Sequence, residues 1–494
     1  MKLHNIVLFG LLVAGLGIGI QFLQPKNGLT LFEDVTLHFP SFQDTFLTKE
    51  KVENKKTLAA IIDEDEVDED ELENALDPEE QRKIDSIRAV AVKDSIRTWQ
   101  LKFHYPNKDK SILYPFFETL EGAKNRKKPI HILHYGDSQI EGDRMTAYIR
   151  HKIQSRFGGN GPGWLPSAPL VFPKSFSIKH SDNWRKAHLY GLRDSTITHK
   201  RYGAMAIFGR FCPYPNDSIP NDSLIHEAWI TYKSASKSFD NTKSFRDFRM
   251  FYGQNTRPVA FQLFEGDSLI KSDTLKPTSS TKVFRHKFDH EVKNIKLKFR
   301  GYDSPDIYGV SLDGTSGIEV SNIAMRGNSG TDFKKFAWEP LSVTYSQFDI
   351  KLLILQYGGN VMPFAKTDKG VESYAHRFQQ NIEYLKKMIP GVCVIVIGPS
   401  DMCLMEGTEW ITYPMLPKVR DELKQSAFNA GAVYWDLFEA MGGDGAMKEW
   451  VDAEPPLAIK DYTHFTNRGA RKTGQWFYNA LIKDFQEWEA KGKK

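Results

Sequence analysis

The 494-residue chain has little cysteine: Cys212, Cys393 and Cys403 are all it contains. An odd count without metal-ligand spacing leaves the fold independent of a disulfide framework. Cys393 stands inside an apolar run and reads as a small core residue. Net charge is also small, +4, and no Lys/Arg stripe alternates with aromatics along the chain, which argues against nucleic acid as a partner. The glycine-rich stretch 158–163 is not closed by Gly-Lys-Ser/Thr, so it is no phosphate cradle. The acidic block 63–71 lacks the glycine that a calcium loop requires. No metal or organic cofactor is implied. Long apolar runs are scarce too, with one conspicuous case at residues 6–23.

That run carries no charge, lies between Lys2 and Lys26, and is long enough to cross a hydrocarbon core as a helix. Its glycines, Gly10, Gly15, Gly17 and Gly19, are tolerated in membranes. No clear small-x-small cleavage site follows, which favours a retained anchor over a cleaved signal within residues 1–25. No cysteine lies near its end, so it is not a lipoprotein signal. Either way the remainder is expected to be exported, into the periplasm or outside a bacterial cell. Residues 26–108 then read as an acidic stalk that stays solvated and includes an apolar-faced helix at 78–101.

What is present in quantity is alternating strand and helix pattern. A short apolar strand at 129–134 leads into Gly136, Asp137 and Ser138, and Met145, Ile149, Ile153 and Phe157 mark one face of the following helix. Gly158 and Gly159 stop it. The pattern resumes with strands at 318–324, 349–356, 392–398 and 432–436. Helices carry Tyr374, Phe378, Ile382 and Leu385, and later Trp476, Phe477, Leu481 and Phe485. Alternation of this kind implies a three-layer α/β domain on a parallel sheet, formed by residues 109–160 and 316–494. Between them, residues 161–315 show short alternating strands with turn signals, the pattern of an inserted all-β sandwich.

Four loops follow strands in order: Ser138, then 326–331 with Gly327 and Gly330, then Gly358, Gly359 and Asn360, and finally Asp461 and His464 before the last helix. Each alone is ordinary turn chemistry. A serine hydroxyl needs a base to become a nucleophile, and His464 supplies one that Asp461 can orient. In this order the loops resemble the motif blocks of the SGNH (GDSL-type) hydrolases, over residues 125–160 and 316–490. The resemblance implies a flavodoxin-like three-layer fold, a Ser138–His464–Asp461 triad, and an oxyanion hole made by the Ser138 and Gly330 N–H groups and the Asn360 side chain. Gly327 remains an alternative to Gly330. The helix after Ser138 is expected to add its N-terminus to that hole. Gln139 departs from the pattern, which often has Leu or Ile there.

With export and a β insert, the chain resembles bacterial peptidoglycan and polysaccharide O-acetylesterases. That implies an O-acylated glycan as substrate, with the insert carbohydrate-binding-like. Trp164, Trp184, Tyr190, Tyr202 and Trp229 are candidates to stack on sugar rings, against the alternative that they are sandwich core. Residues 441–447, next to Trp450, are expected at the site mouth. Two other readings stay open, an O-acyltransferase with the same triad and a glycan-binding or scaffold protein.

Overall fold

The computed structural model describes residues 29–32, 35–37, 101–189, 196–214 and 224–492. The chain divides into two compact units, residues 1–64 and 65–494. In the first, strand Leu29–Phe32 pairs antiparallel with Val35–Leu37. The apolar run 6–23, the acidic block, Tyr190 and all but the last residue of the helix expected at 78–101 lie outside the described residues. Among the described residues no helix is long and apolar enough to cross a membrane.

The second unit is built on five parallel strands in the order Ile318–Ala324, Ile130–Gly136, Asp349–Gln356, Cys393–Ile397 and Val433–Trp435. Both faces of the sheet are covered, and Cys393–Ile397 and the middle of Asp349–Gln356 are accordingly unbroken apolar sequence, while Ile318–Ala324 also carries Glu319, Ser321 and Asn322. Leu133, Tyr135, Leu353, Leu355, Val394 and Val396 face one core, shared with helices Trp338–Tyr345, Asp368–Met388 and Leu416–Asn429. Alternate residues Ile132, Leu352, Ile354, Ile395 and Ile397 face the other, with helices Tyr114–Glu121, Thr146–Phe157 and Asn467–Gly492. The α/β unit begins before the expected boundary at 109. Leu101, Phe103 and Tyr105 are buried in the second core, and His104 exchanges two backbone hydrogen bonds with Tyr434 on the far edge strand, at 2.7 and 3.0 Å.

The insert forms two antiparallel sheets. One has the order Ser268–Leu275, Val259–Glu265, Asn294–Gly301, His226–Ser234, Phe176–His180. The other runs Lys282–Val292, Phe245–Gly253, Asp306–Asp313, Ile207–Arg210, Arg185–His188. Phe248, Phe261, Phe299 and Ile230 fill the space between them. The second sheet is covered on its other side as well: Trp164, Tyr202, Phe208, Phe251 and Tyr308 form one continuous core with Tyr135 and Phe333 of the α/β layer. Trp164, Trp184 and Tyr202 are only 3%, 6% and 3% exposed, so they serve as core and cannot stack on a sugar. The insert is therefore welded to the α/β layer, and excising it would expose the face of Tyr135.

A buried ion pair ties these parts together. Arg150, on the first helix, donates to Asp143 at 2.6 and 3.1 Å and to the Val320 carbonyl of the edge strand at 2.5 Å. Asp143 also accepts from Ser175 of the insert at 2.5 Å. Both charges are within 2% of full burial, so removing one leaves the other without a partner. Arg150→Met is expected to cost about 3–5 kcal/mol in urea or thermal unfolding; a loss under about 1 kcal/mol would show the pair to be dispensable.

Candidate active site

The strand Ile130–Gly136 lies between the second and third strands of the α/β chain order, where the winding of the sheet reverses. Open α/β sheets form a crevice at that point, beyond the carboxyl ends of the strands. Ser138 follows one of the two strands flanking the crevice and Asn360 follows the other. Asp137 Oδ1 accepts the Gln139 N–H at 2.9 Å and caps the turn. The 3-10 stretch Ser138–Asp143 then breaks at Glu141 and at Gly142, whose φ is 70°. The α-helix starts only at Thr146. Ser138 is thus not at its N-terminus, and the expected contribution of that helix end to an oxyanion hole is not available.

Ser138 Oγ lies 2.7 Å from His464 Nε2, and His464 Nδ1 lies 2.6 Å from Asp461 Oδ2. An ionised carboxylate can only accept, so Nδ1 carries the proton and Nε2 is left to accept the serine hydroxyl proton. Burial works against the Asp461 charge. The His464 ring hydrogen bond and charge, with the His464 and Thr463 N–H groups, outweigh it and hold the carboxyl below its ordinary value. Ser138 and His464 are part-exposed and Asp461 is exposed, so the relay opens to solvent.

The histidine loop is braced by aromatic rings. Trp410, on the hairpin after the fourth strand, stacks on Tyr462 with centroids 4.0 Å apart. Tyr462 also gives its carbonyl to the Cys403 N–H at 3.0 Å. Trp450 is 5% exposed, donates its indole N–H to the Met441 carbonyl, and packs on Phe465 next to His464.

Two side chains that motif reasoning leaves out join the serine turn to this loop. The Gln139 carboxamide donates to the Thr463 carbonyl at 2.5 Å and to Ser400 Oγ at 3.2 Å, and accepts the Phe465 N–H at 3.4 Å. It therefore grips the backbone on both sides of His464. The sequence signal was its departure from the Leu or Ile of the family pattern, and the shape of the link explains that departure. Arg144 is buried and donates to the carbonyls of Ser138, Gln139, Glu141 and Phe465. Burial pulls its guanidinium down to about 10, which leaves it charged at neutral pH. Nothing in the sequence marks it.

Asn360 Nδ2 donates to Asp137 Oδ2 at 3.2 Å and to the Asn328 carbonyl at 3.0 Å, so it stands beside the serine turn. Burial pushes the Asp137 carboxyl up to about 6, against the Gln139 N–H. Gly330 gives its N–H to Asn328 Oδ1 at 2.5 Å. Its φ is 76°, and a Cβ there would meet Phe378 and Tyr357 ring atoms at 2.7 Å, so only glycine fits. Gly327 shares the positive φ, 77°, but has open space around it. His134 is hydrogen-bonded to Gln356 and Thr146, and His131 lies 3.4 Å from Asp313. An apolar cavity of about 420 Å³, edged by Glu141, Arg326 and Gly327, lies beside the serine turn and does not include Ser138.

If Gln139 aligns His464, Gln139→Leu is expected to lower kcat by about ten-fold with KM little changed; an unaltered kcat would show the link to be idle. Asp461 adds a pH signature. Its depressed folded-state value means that its stabilisation is present above the ordinary 3.8 and is lost as pH falls through the lowered value. The melting-temperature gap between the native protein and Asp461→Asn should accordingly close in strong acid.

No family model and no curated protein matches the sequence. Among solved structures, a peptidoglycan O-acetylesterase aligns with a TM-score of 0.59 at 18% identity, over 76% of this chain and 96% of that one. A family two carbohydrate esterase from Cellvibrio japonicus (TM-score 0.26, 7% identity, 63% of this chain and 99% of that one) is far less similar. So is an acetyl xylan esterase (TM-score 0.26, 13% identity, 33% and 81%). With its parallel sheet, its separate antiparallel sheets and this first alignment, the chain shares the fold of that structure, an α/β domain carrying an inserted β domain.

Proposed function

We propose that the protein is a serine esterase that removes O-acetyl groups from a cell-envelope glycan through an acyl-enzyme. The observation that carries this reading is the hydrogen-bonded relay Ser138–His464–Asp461, with legs of 2.7 and 2.6 Å. Ser138 Oγ attacks the ester carbonyl while His464 Nε2 takes its proton. The tetrahedral intermediate collapses, the sugar oxygen leaves with that proton, and the acetyl group stays on Ser138. Water then attacks, gives its proton to His464, and acetate departs as the serine is restored. Asn360 donates to Asp137 beside this turn, and stabilising the oxyanion requires its Nδ2 to exchange Asp137 for the substrate oxygen.

Several features support a polymeric substrate. The relay is open to solvent. The insert is packed rigidly against the same sheet, so any chain held by it has a set position relative to Ser138. The fold is shared with an O-acetylesterase acting on peptidoglycan. Export, with the 6–23 run as anchor, is part of the proposal and accounts for an envelope location.

The test is acetate release from isolated O-acetylated peptidoglycan and from a short acyl ester. Ser138→Ala and His464→Ala should each lower kcat by about 10⁴-fold or more with melting temperature preserved. Asn360→Ala should lose about 10²–10³-fold. Full activity in the serine and histidine variants would overturn the assignment. Transfer of acetyl to an added glycan in preference to water would move the reaction to an O-acyltransferase.

A further inference from the structure

The five-stranded sheet of the insert has one face in the sandwich core and one free. Strand alternation sorts its residues. In His226–Ser234 the side chains of Ala228, Ile230 and Tyr232 are buried, which places Trp229, Thr231 and Lys233 on the free face. In Asn294–Gly301, burial of Ile295, Leu297 and Phe299 puts Lys296, Lys298 and Arg300 there. In Phe176–His180, Ser177 and Lys179 join them. The register brings these together across strands far apart in sequence. Lys298 is opposite Trp229, Lys296 is opposite Thr231, and Thr231 is opposite Lys179. Neighbouring strands are about 4.8 Å apart, so the ammonium groups form one continuous basic field.

That field is not neutralised from within. Of its bases only Arg300 has a carboxylate partner, Glu227 at 3.0 Å; among the described residues Lys179, Lys233, Lys296 and Lys298 have none. Two of the ammonium groups are drawn over rings, Lys296 over Trp229 at 5.3 Å and Lys298 over Phe264 at 4.7 Å, which keeps them on the sheet surface. A groove crosses the same face, and its wall interleaves lysines with hydroxyl and amide groups, Ser177, Thr231, Ser234 and Asn294, with Asp267 at its rim.

We propose that this face binds a carboxylate-bearing polysaccharide strand. Ammonium groups answer the carboxylates, the hydroxyl and amide side chains answer sugar hydroxyls, and Trp229 offers an apolar ring for the C–H face of a sugar. Lys296, Lys298 and Arg300 alternate along one strand, and sheet pairing adds Lys179 and Lys233 from two others. The surface lies apart from the catalytic relay, so the proposal goes beyond the esterase reading and does not depend on it.

The experiment uses the full chain carrying Ser138→Ala, so that nothing is turned over, in native gels containing polygalacturonate or the same polymer fully methyl-esterified. Polygalacturonate should retard the protein and the esterified polymer should not, and added salt should weaken the retardation. Lys296→Glu with Lys298→Glu should raise the apparent Kd at least about ten-fold at unchanged melting temperature. If charge reversal lowers the melting temperature, Lys296→Gln with Lys298→Gln carries the test, with the same direction expected. Equal retardation by both polymers, no retardation, or unaltered binding by the variants would overturn the proposal. So would tighter binding to single-stranded DNA or to phosphatidylglycerol vesicles. Because binding is read without catalysis, its failure leaves the esterase assignment standing, and the reverse also holds.

Discussion

Two buried guanidinium groups hold the turn after the first strand, and the candidate site hangs from that turn. Arg150 is paired with Asp143, and Arg144 is satisfied by carbonyls alone. A buried charge is tolerated only when its hydrogen-bonding capacity is met, so each group dictates where its partners sit. Through Arg150 the turn is fastened to the edge strand and the insert. Through Arg144 it is fastened to Phe465, the residue after His464. The nucleophile and its base come from positions 138 and 464, and their 2.7 Å approach depends on these long-range ties.

The same principle operates around the histidine. Gln139, Trp410 and Trp450 hold the loop by a carboxamide, a stacked ring and a packed ring, so the loop is rigid where it carries chemistry and open where substrate must arrive. Preorganisation of this kind makes a short Asp-x-x-His turn function as half of a relay. Continuity of core between the insert and the α/β layer adds a fixed second surface. The insert is therefore held in a set geometry relative to the site, unlike a flexibly tethered module.

Much of this was legible in the residues. The strands at 318–324 and 349–356 appear as read, the second because both faces of the sheet are covered and its middle is unbroken apolar sequence. The five parallel strands and the two-sheet insert follow from the same periodicities. The geometry assembles Ser138, His464 and Asp461, the residues singled out from motif order. Less legible were contacts between distant segments. A buried tryptophan and a sugar-stacking tryptophan are the same letter, and only packing showed Trp164 and Trp184 to be core. Likewise, positive φ at Gly142 and Asp143, which parts Ser138 from its helix, comes from the surrounding hydrogen bonds.

By itself, then, the sequence determined the alternation of strand and helix, the presence of an inserted β domain, and the chemical identity of a serine, a histidine and an aspartate that could act together. Those depend on local periodicity and on side-chain chemistry, which the chain carries residue by residue. Only the tertiary structure decided that Gln139 and Arg144 link the two halves of the relay. It also decided that the α/β unit begins by Leu101 and that lysines from three strands share one face. These depend on pairings between segments far apart in the chain, set by burial and sheet register.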